Sequence, residues 1–406
     1  GTASGGGGQG GSTTCGNGQV DPGEVCFTAP YEPYETGKRQ AADMVLTDCD
    51  GDGDVDVITA DEGAGTFTVL TNDGEGMLEP PESYTHGLEG VVRITLAELG
   101  GSAQPELLAV GDAGSAAESF VEFSISDCSI DGGIGGSSPG IEVTGSPRDV
   151  TVVRFADDIL DDPVVTLLVG EAGELAFFDT AEGPDPTATQ FAAGTNGVAG
   201  IVAGNLYGNA LTDIAHVNPG ANEVIVWMNS GSAFTLAGSY PVGTEPTAVA
   251  VGDLDGQDFD DIVVANTAAS TISVLLNNGL GDFTQSGGDL EVGTAGGVHA
   301  REPRDVHLAD LDGDGDLDIL TANSDDSPTA GQSSVSLFLN DGSGAFLLAT
   351  SANVAMVQTS FPLEVGLLPS KVWAADMNGD GALDIVTSGT HVDDDTSHVS
   401  VLLAVP

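Results

Sequence analysis

One nine-residue pattern, repeated along the chain, constrains the fold more than any other feature. Its clearest copy begins at Asp310 and ends at Asp318, with aspartates at positions 1, 3, 5 and 9 and glycines at positions 4 and 6. An apolar, β-prone run follows directly. Alternating carboxylates with glycines at the bends let a short loop surround a hard cation, and Ca²⁺ takes six to eight oxygen ligands. The pattern therefore predicts a calcium-binding loop that leads into a strand.

The strand after the loop separates this pattern from the EF-hand, whose loop also begins with alternating acidic residues. An EF-hand loop carries a bidentate Glu at position 12 and continues into a helix. Position 12 here is Thr321, and the three most similar loops carry Thr59, Val264 and Thr387, all inside apolar β-prone runs. EF-hands are therefore not expected.

The loop is part of a longer repeated unit. Alignment on the clearest copy gives seven units, spaced 48 to 66 residues apart, whose loops begin at Asp48, Glu98, Arg154, Asn205, Asp253, Asp310 and Asp376. This spacing fits one four-stranded propeller blade with loops of variable length. Each unit has a strand before the loop, a second strand after it, and a third that ends at a turn. Asn-Gly and Asp-Gly turns predict a fourth, outer strand near Phe283 and Phe346.

Both ends of the repeat region contribute to the last unit. Unit 7 stops after its third strand at 399–403, whereas residues 27–37 match the outer-strand register of the segment that starts at Phe283. The N-terminal segment is therefore predicted to complete the last blade and remove an open sheet edge. Its two prolines suit an outermost strand. The predicted fold is all-β: a seven-bladed β-propeller of four-stranded antiparallel blades over residues 27–406, closed by its N-terminal strand.

Four loops keep the full set of oxygen donors, so about four Ca²⁺ ions are expected. Positions 1, 3, 5 and 9 offer side-chain oxygens, and position 7 offers its backbone carbonyl. The neutral donors Gln257 and Asn378 predict weaker binding in their loops. The predicted ligands are Asp48, Asp50, Asp52, Asp54 and Asp56; Asp253, Asp255, Gln257, Phe259 and Asp261; Asp310, Asp312, Asp314, Asp316 and Asp318; and Asp376, Asn378, Asp380, Ala382 and Asp384.

The loops of units 2, 3 and 4 have lost this set in different ways. In unit 3, Arg154 occupies position 1, and its guanidinium could replace the cation by pairing with Asp158 and Asp162. The loops of units 2 and 4 are expected to be empty, since they carry Glu98, Gly100, Ser102 and Glu106, and Asn205, Tyr207, Asn209 and Asp213.

These repeats resemble the FG-GAP or VCBS repeat family, whose best-known member is the β-propeller of integrin α subunits. The four intact loops carry the resemblance, while the Phe-Gly and Gly-Ala-Pro elements of integrins have loose equivalents. The resemblance implies a binding or adhesion module whose protein or glycan ligand contacts the face opposite the calcium loops. Long predicted loops bring one set of polar residues to that face: His299, Arg301, Asp325, Asp326, His391 and 393–395.

Two short segments precede the repeats. Residues 1–14 form a Gly/Ser tract without apolar content and are predicted to be a flexible linker. Residues 15–26 resemble a short cysteine-rich repeat of secreted bacterial proteins, with Cys-Gly-Asn-Gly and Pro-Gly-Glu-Val-Cys elements. That resemblance implies a disulfide between Cys15 and Cys26.

Charge and cysteine content limit the expected binding partners and the expected cellular compartment. The chain has 63 acidic and eight basic residues, a net charge of -55, which disfavours nucleic acid and anionic membranes as partners. No apolar run approaches the length of a membrane helix. Four cysteines and calcium loops favour a secreted or cell-surface protein. Strand alternation places Cys49 and Cys128 on the calcium face, where a disulfide and two free buried thiols are both possible.

The sequence shows no nucleophile with an adjacent base and no carboxylate pair beside a histidine, so a binding module is favoured over an enzyme. Six histidines are scattered through the chain, and His307 and His398 fall in predicted strands, where a structural role is expected. A propeller-type polysaccharide lyase or dehydratase using His299 and His391 is the alternative, and a purely structural surface protein is another. The identity of the ligand is not encoded in any motif.

Overall fold

The computed structural model shows an all-β chain. It describes residues 25, 27, 32–38, 41–61, 65–85, 89–97, 105–112, 120–126, 128–132, 147–154, 164–170, 174–179, 189–192, 198–209, 211–231, 233–292, 302–324, 334–349, 363–364, 368–390 and 396–405. Within these ranges there are strands and turns but no helix, and hence none with the length and apolarity needed to cross a membrane. The predicted linker 1–14 and the Cys15 and Cys26 pair lie outside them.

Thirty strands occur in the described ranges. Their bounds, in chain order, are β1 (Glu32–Lys38), β2 (Ala41–Thr47), β3 (Asp56–Asp61), β4 (Thr66–Leu70), β5 (Glu82–Thr85), β6 (Glu89–Ala97), β7 (Glu106–Asp112), β8 (Phe120–Ser126), β9 (Ser129–Gly132), β10 (Pro147–Arg154), β11 (Val164–Gly170), β12 (Glu174–Asp179), β13 (Thr189–Ala192), β14 (Ala199–Gly204), β15 (Asp213–Asn218), β16 (Glu223–Asn229), β17 (Phe234–Pro241), β18 (Pro246–Gly252), β19 (Asp261–Asn266), β20 (Thr271–Asn277), β21 (Phe283–Gln285), β22 (Leu290–Glu291), β23 (Glu302–Ala309), β24 (Asp318–Ser324), β25 (Ser334–Asn340), β26 (Phe346–Leu348), β27 (Leu363–Glu364), β28 (Pro369–Ala375), β29 (Asp384–Thr390) and β30 (Thr396–Leu402).

These strands form seven antiparallel sheets in the described part of the chain. Sheets 1 to 4 each take four consecutive strands, from β2 through β17. Sheet 5 is β18–β22 and sheet 6 is β23–β27, where β22 and β27 add a short second segment beside the third strand. Sheet 7 has the order β1-β30-β29-β28. The predicted four-stranded antiparallel sheets are confirmed, and the outer strands near Phe283 and Phe346 begin where they were predicted.

Burial follows the position of each strand within its sheet. The second strands, such as β19 and β24, are buried along their whole length, as their runs of Ile, Val and Ala require. Apolar side chains of neighbouring sheets meet in shared clusters; for example, Val263 of sheet 5 belongs to the same cluster as Ile319 and Phe338 of sheet 6. Fully burying one such side chain contributes roughly 1.5–3 kcal/mol. The core therefore lies between sheets.

The first strands of all seven sheets face one another around a common cavity. They contact in cyclic order, β2, β6, β10, β14, β18, β23, β28 and again β2. The cavity has a volume of about 1290 Å³ and is lined by residues from each of these strands. Because every first strand leads into the loop of its unit, all the acidic loops lie at the same end of the cavity.

The N-terminal strand pairs with the third strand of the last unit. β1 runs antiparallel to β30, from Glu32 opposite Val401 to Lys38 opposite Thr396. Upstream, Phe27 forms a bridge to Ala404, and Phe283 pairs with Asn277 in the corresponding place in sheet 5. Phe27 and β1 therefore lie beside the third strand of the last unit, on the side where the sequence predicted an outer strand.

Unit 3 departs from its predicted register. In sheets 1, 5, 6 and 7 the residue before position 1 pairs with position 9, as Ala309 pairs with Asp318. In sheet 3, Val153 pairs with Val165, so Val165 and not Asp162 lies opposite the residue before position 1. Spacing alone placed this loop, and the loop is three residues longer than expected. Asp158 and Asp162 lie outside the described residues, and the arginine pairing remains a prediction.

Candidate functional site

The four acidic loops share one backbone conformation. Positions 4 and 6 adopt left-handed φ angles, for example 70° at Gly313 and 98° at Gly315. Glycine adopts these angles without steric cost. The loop of unit 5 places Asp258 at position 6 with φ 65°, so the same bend forms there without glycine. In units 1, 5 and 6 this conformation brings the carboxylates of positions 1 and 3 close to that of position 9.

Position 1 closes each loop by accepting two backbone hydrogen bonds. In unit 6, the carboxylate of Asp310 accepts from the backbone N–H groups of Asp314 (3.1 Å) and Gly315 (3.0 Å). Asp376 accepts in the same way from Asp380 (3.1 Å) and Gly381 (2.9 Å) in unit 7. These bonds hold the position 1 carboxylate over the loop and fix its orientation.

Position 9 ties the loop to the rest of its sheet. Asp318 accepts from the backbone N–H of Leu311 at position 2 (2.9 Å) and from that of Asn340 at the end of the third strand (2.8 Å). Asp213 of unit 4 makes the equivalent bonds with Leu206 (3.1 Å) and Asn229 (2.7 Å). Unit 4 has lost the other acidic positions but keeps this one. Position 9 is therefore needed for loop structure whether or not a cation is bound.

Carboxylate oxygens of positions 1, 3 and 9 converge in three of the four loops, within 4.8 Å of one another, while position 5 and position 7 residues stay outside these groups. In unit 7, position 3 is Asn378, and the remaining carboxylates do not form such a group in the described chain. The three groups are Asp48, Asp50 and Asp56; Asp253, Asp255 and Asp261; and Asp310, Asp312 and Asp318. These clusters could hold metal ions, and their all-oxygen donors suit a hard cation.

Burial makes the position 9 carboxylates costly to ionise. Burial, with a smaller effect from the other acidic residues of each loop, raises the pKa of Asp56 and Asp261 to about 6 and that of Asp318 and Asp384 to about 7. Backbone hydrogen bonds oppose this shift in part. A buried carboxylate surrounded by others is stabilised in its charged form by a bound cation. The electrostatics of the loops therefore fit a cation site.

An asparagine at the end of the third strand links the loops of units 1, 5 and 6 to the loop of the preceding sheet in the ring. The side-chain amide of Asn340 donates to the carbonyl of Leu317 in its own loop (3.0 Å) and to that of Leu254 in the loop of unit 5 (2.9 Å). Asn277 bonds Leu206 in the same manner, and Asn72 bonds Met377. The last bond joins sheet 1 to sheet 7. This role was not predicted from the sequence, although an Asn before the turn recurs at positions 72, 277 and 340 of the sequence.

A disulfide joins the loop of unit 1 to sheet 2. Cys49, at position 2 of the loop, is bonded to Cys128 with the Cα atoms 4.8 Å apart, and both residues are buried. The backbone N–H of Cys128 also donates to the carbonyl of Cys49 (3.1 Å). Of the two possibilities left by the sequence, the bridge is the one observed.

The residues predicted for a ligand face lie outside the described part of the chain, and their arrangement stays a prediction: His299, Arg301, Asp325, Asp326, His391 and 393–395. Of the histidines predicted to be structural, His307 packs against Trp373 with ring centroids 4.7 Å apart. His398 lies within 2.8 Å of the Thr396 hydroxyl through its Nε2.

The strand order, the cyclic contacts and the acidic loops define a repeat β-propeller. Residues 253–321, which contain the loops of units 5 and 6, match the FG-GAP-like repeat. No curated protein sequence matches the chain.

Solved structures support the same fold. The structure described as BBS1N in complex with ARL6DN, soaked with lead, is similar with a TM-score of 0.57 and 12% identity, covering 93% of this chain and 97% of that chain. The WD40 β-propeller domain of Doa1 is similar with a TM-score of 0.51 and 12% identity, again covering 93% and 97%. At such identities these likenesses establish the fold alone.

Proposed function

We propose that this chain is a calcium-stabilised, seven-bladed β-propeller that acts outside the cell as a binding or adhesion module for a protein or glycan. The observation that carries this proposal is the convergence of three carboxylates at the same point of three loops, those of units 1, 5 and 6. Calcium suits these loops because it accepts many oxygen ligands in an irregular shell. Asp52 and Asp314 at position 5 and the position 7 carbonyls would complete the shells.

In this proposal the seven sheets are seven blades, and β1 closes the ring. Two contacts support closure independently: the pairing of β1 with β30, and the bond from Asn72 in sheet 1 to Met377 in sheet 7. The proposed ions then sit in neighbouring blades 5, 6, 7 and 1. There they would stabilise the sector in which the two ends of the propeller meet.

The disulfide between Cys49 and Cys128 supports the extracellular assignment, because disulfides persist in oxidising compartments. The strong negative charge supports a partner other than nucleic acid or an anionic membrane. A free face opposite the loops would serve for partner binding, by analogy with integrin α propellers.

Calcium stoichiometry and thermal unfolding test the proposal. About four ions per chain are expected, with a large fall in melting temperature after chelation, because removing the cations leaves buried carboxylates uncompensated. Replacing Asp312 and Asp314 with Asn should reduce the count by one.

The matched control is the pair Asp282→Asn and Glu291→Gln, two exposed acidic residues outside the loops, whose replacement changes the net charge equally. This control should keep all the ions. An unchanged melting temperature after chelation, or a chain without bound calcium, would remove the basis for the proposal.

A further inference from the structure

The cavity between the first strands concentrates the positive charge of the molecule. The whole chain has eight Lys and Arg residues, and four of them line this one cavity: Arg93, Arg148, Arg304 and Lys371. Three aspartates, Asp43, Asp149 and Asp305, also line it. The described lining therefore carries a net charge of +1, whereas the chain as a whole carries -55.

The three aspartates are engaged in holding neighbouring sheets together. Asp43 accepts from the backbone N–H of Ile94 in sheet 2 (2.9 Å), and Asp149 accepts from that of Ile201 in sheet 4 (2.8 Å). Asp305 accepts from Val372 in sheet 7 (3.1 Å). These carboxylates make the same contact in three different sheets, so their presence is explained by the construction of the ring.

Lys371 lies between two of these aspartates. Its ammonium nitrogen is 3.4 Å from Asp43 and 3.3 Å from Asp305. Burial would lower the pKa of this lysine, but the carboxylates of Asp305, Asp43 and Asp149 raise it above its usual value. The lysine is therefore charged at neutral pH, with 24% of its side chain exposed to the cavity.

The arginines lie toward the end of the cavity away from the acidic loops. Arg148 and Arg304 are each six residues before position 1 of their loops, near the starts of β10 and β23. Arg148 is exposed, and Arg304 is held by hydrogen bonds to Ser324 (2.9 Å) and Glu302 (2.6 Å). Guanidinium groups bind carboxylates through a planar, bidentate pair of hydrogen bonds. The basic end of the cavity thus lies on the side opposite the acidic loops.

The remaining lining suits a carbohydrate. Thr95, Thr247 and Ser370 line the cavity together with the aromatic residues Trp373 and His307. An aromatic ring offers an apolar face, and hydroxyls and carboxylates exchange hydrogen bonds with sugar hydroxyls. A volume of about 1290 Å³ accommodates a short oligosaccharide.

We propose that this cavity binds a short acidic oligosaccharide, with its sugar carboxylates placed against Arg148, Arg304, Arg93 and Lys371. The ligand enters from the face opposite the acidic loops. This inference rests on the proposed function and gives it a ligand class. A long polyanion is disfavoured because it would lie against the acidic outer surface, whereas a short ligand can lie within the cavity beside its basic residues.

Titration of the calcium-saturated chain with trigalacturonate tests the proposal, and the trimethyl ester of the same trisaccharide is the uncharged comparison. The acid is expected to bind saturably and at least tenfold more tightly than the ester. Inorganic phosphate is titrated in parallel and is expected to compete weakly. Equal binding of acid and ester, equal binding of phosphate and the acid, or no saturable binding of the acid would overturn the proposal.

Two variants locate the site. Replacing both Arg148 and Arg304 with Gln should weaken binding of the acid at least tenfold. A surface variant matched in the sign of its charge change, Thr235→Glu on the exposed face of β17, should bind it normally. Melting temperature and calcium count are recorded for each protein. Normal calcium binding without any binding of the acid would reject this inference while leaving the calcium-stabilised propeller intact.

Discussion

At the residue scale, position 9 of the acidic loops has a structural role that does not depend on the other acidic positions. Asp213 keeps the structural hydrogen bonds in a unit that has lost the other acidic positions, and Asp318 makes the same bonds beside a full set of carboxylates. Asn72, Asn277 and Asn340 have a similar structural role, since each links two neighbouring loops. The backbones of these neighbouring loops are therefore directly connected.

Asn277→Ala should destabilise the chain by about 2 kcal/mol, because the buried carbonyls of Leu206 and Asp260 would each lose a hydrogen-bond donor. Urea unfolding in saturating calcium measures the loss. The adjacent Asn278→Ala is the control: Asn278 is exposed and bonds only within its turn in the described structure, so a cost below about 1 kcal/mol is expected. Equal losses would show that the link between loops contributes nothing.

His216 should make the chain less stable in acid. It is fully buried beside Trp227, and burial lowers its pKa to about 4 from an ordinary value near 6.5. The unfolded chain therefore binds a proton at a higher pH than the folded chain does. The contribution of neutral His216 to the free energy of unfolding is therefore complete above pH 6.5. As the pH falls toward 4 this contribution is lost, and the free energy of unfolding decreases by on the order of 2–3 kcal/mol.

His216→Leu tests this assignment in urea unfolding at a series of pH values. The difference in free energy of unfolding between the two proteins should shift by that amount between pH 6.5 and pH 4. Comparing the two proteins removes the opposite contribution of carboxyl groups such as Asp61, whose pKa burial raises to about 6. A difference that does not change with pH would contradict the assignment.

At the element scale, each sheet can be read from local sequence signals, and the contacts between sheets cannot. Alternation, β-branched runs and the Asn-Gly turns predicted the second and third strands and the outer strand at Phe283. The cavity charges were missed because the position five residues before each loop has no constant identity: it holds Asp43, Arg93, Asp149, Gly200, Ala248, Asp305 and Lys371. Unit 3 was misregistered because spacing alone does not detect a longer loop.

The disulfide provides a prediction at this scale, since it joins two elements that are 79 residues apart in sequence. In the chain-entropy model, closing a loop of that length lowers the conformational entropy of the unfolded chain and so raises the free energy of unfolding by about 4 kcal/mol. Replacing both Cys49 and Cys128 with Ala should lower the free energy of unfolding by roughly this amount. Thermal and urea unfolding of the double variant measure it, and the same experiment on reduced wild-type chain provides a comparison. A variant as stable as wild type would indicate that the hydrogen bond between the two residues suffices.

At the scale of the whole molecule, charge dominates. A chain with a net charge of -55 repels itself when folded, and the loops place several of those charges close together. Bound divalent cations and dissolved salt relieve this repulsion in different ways. Added salt should therefore stabilise the chain less when divalent cations are already bound.

The metal-free chain should become more stable as salt is added. Raising NaCl from 0.1 M to 1 M shortens the screening length from about 10 Å to about 3 Å. The melting temperature in excess chelator should rise by several degrees, whereas the calcium-saturated chain should respond less because its loop carboxylates are already neutralised. Differential scanning calorimetry of both forms compares them. Equal responses would place the repulsion on the outer surface and not in the loops.

The pairing of β1 with β30 has a consequence for folding during synthesis on the ribosome. β1 is synthesised about 360 residues before its partner. At 5–20 residues per second, it waits roughly 20–70 s before that partner exists. During this time the strand is a template for wrong neighbours, and its Pro33 and two glutamates limit such pairing. In the nascent chain β1 therefore stays unpaired until the strands of the last sheet have been synthesised.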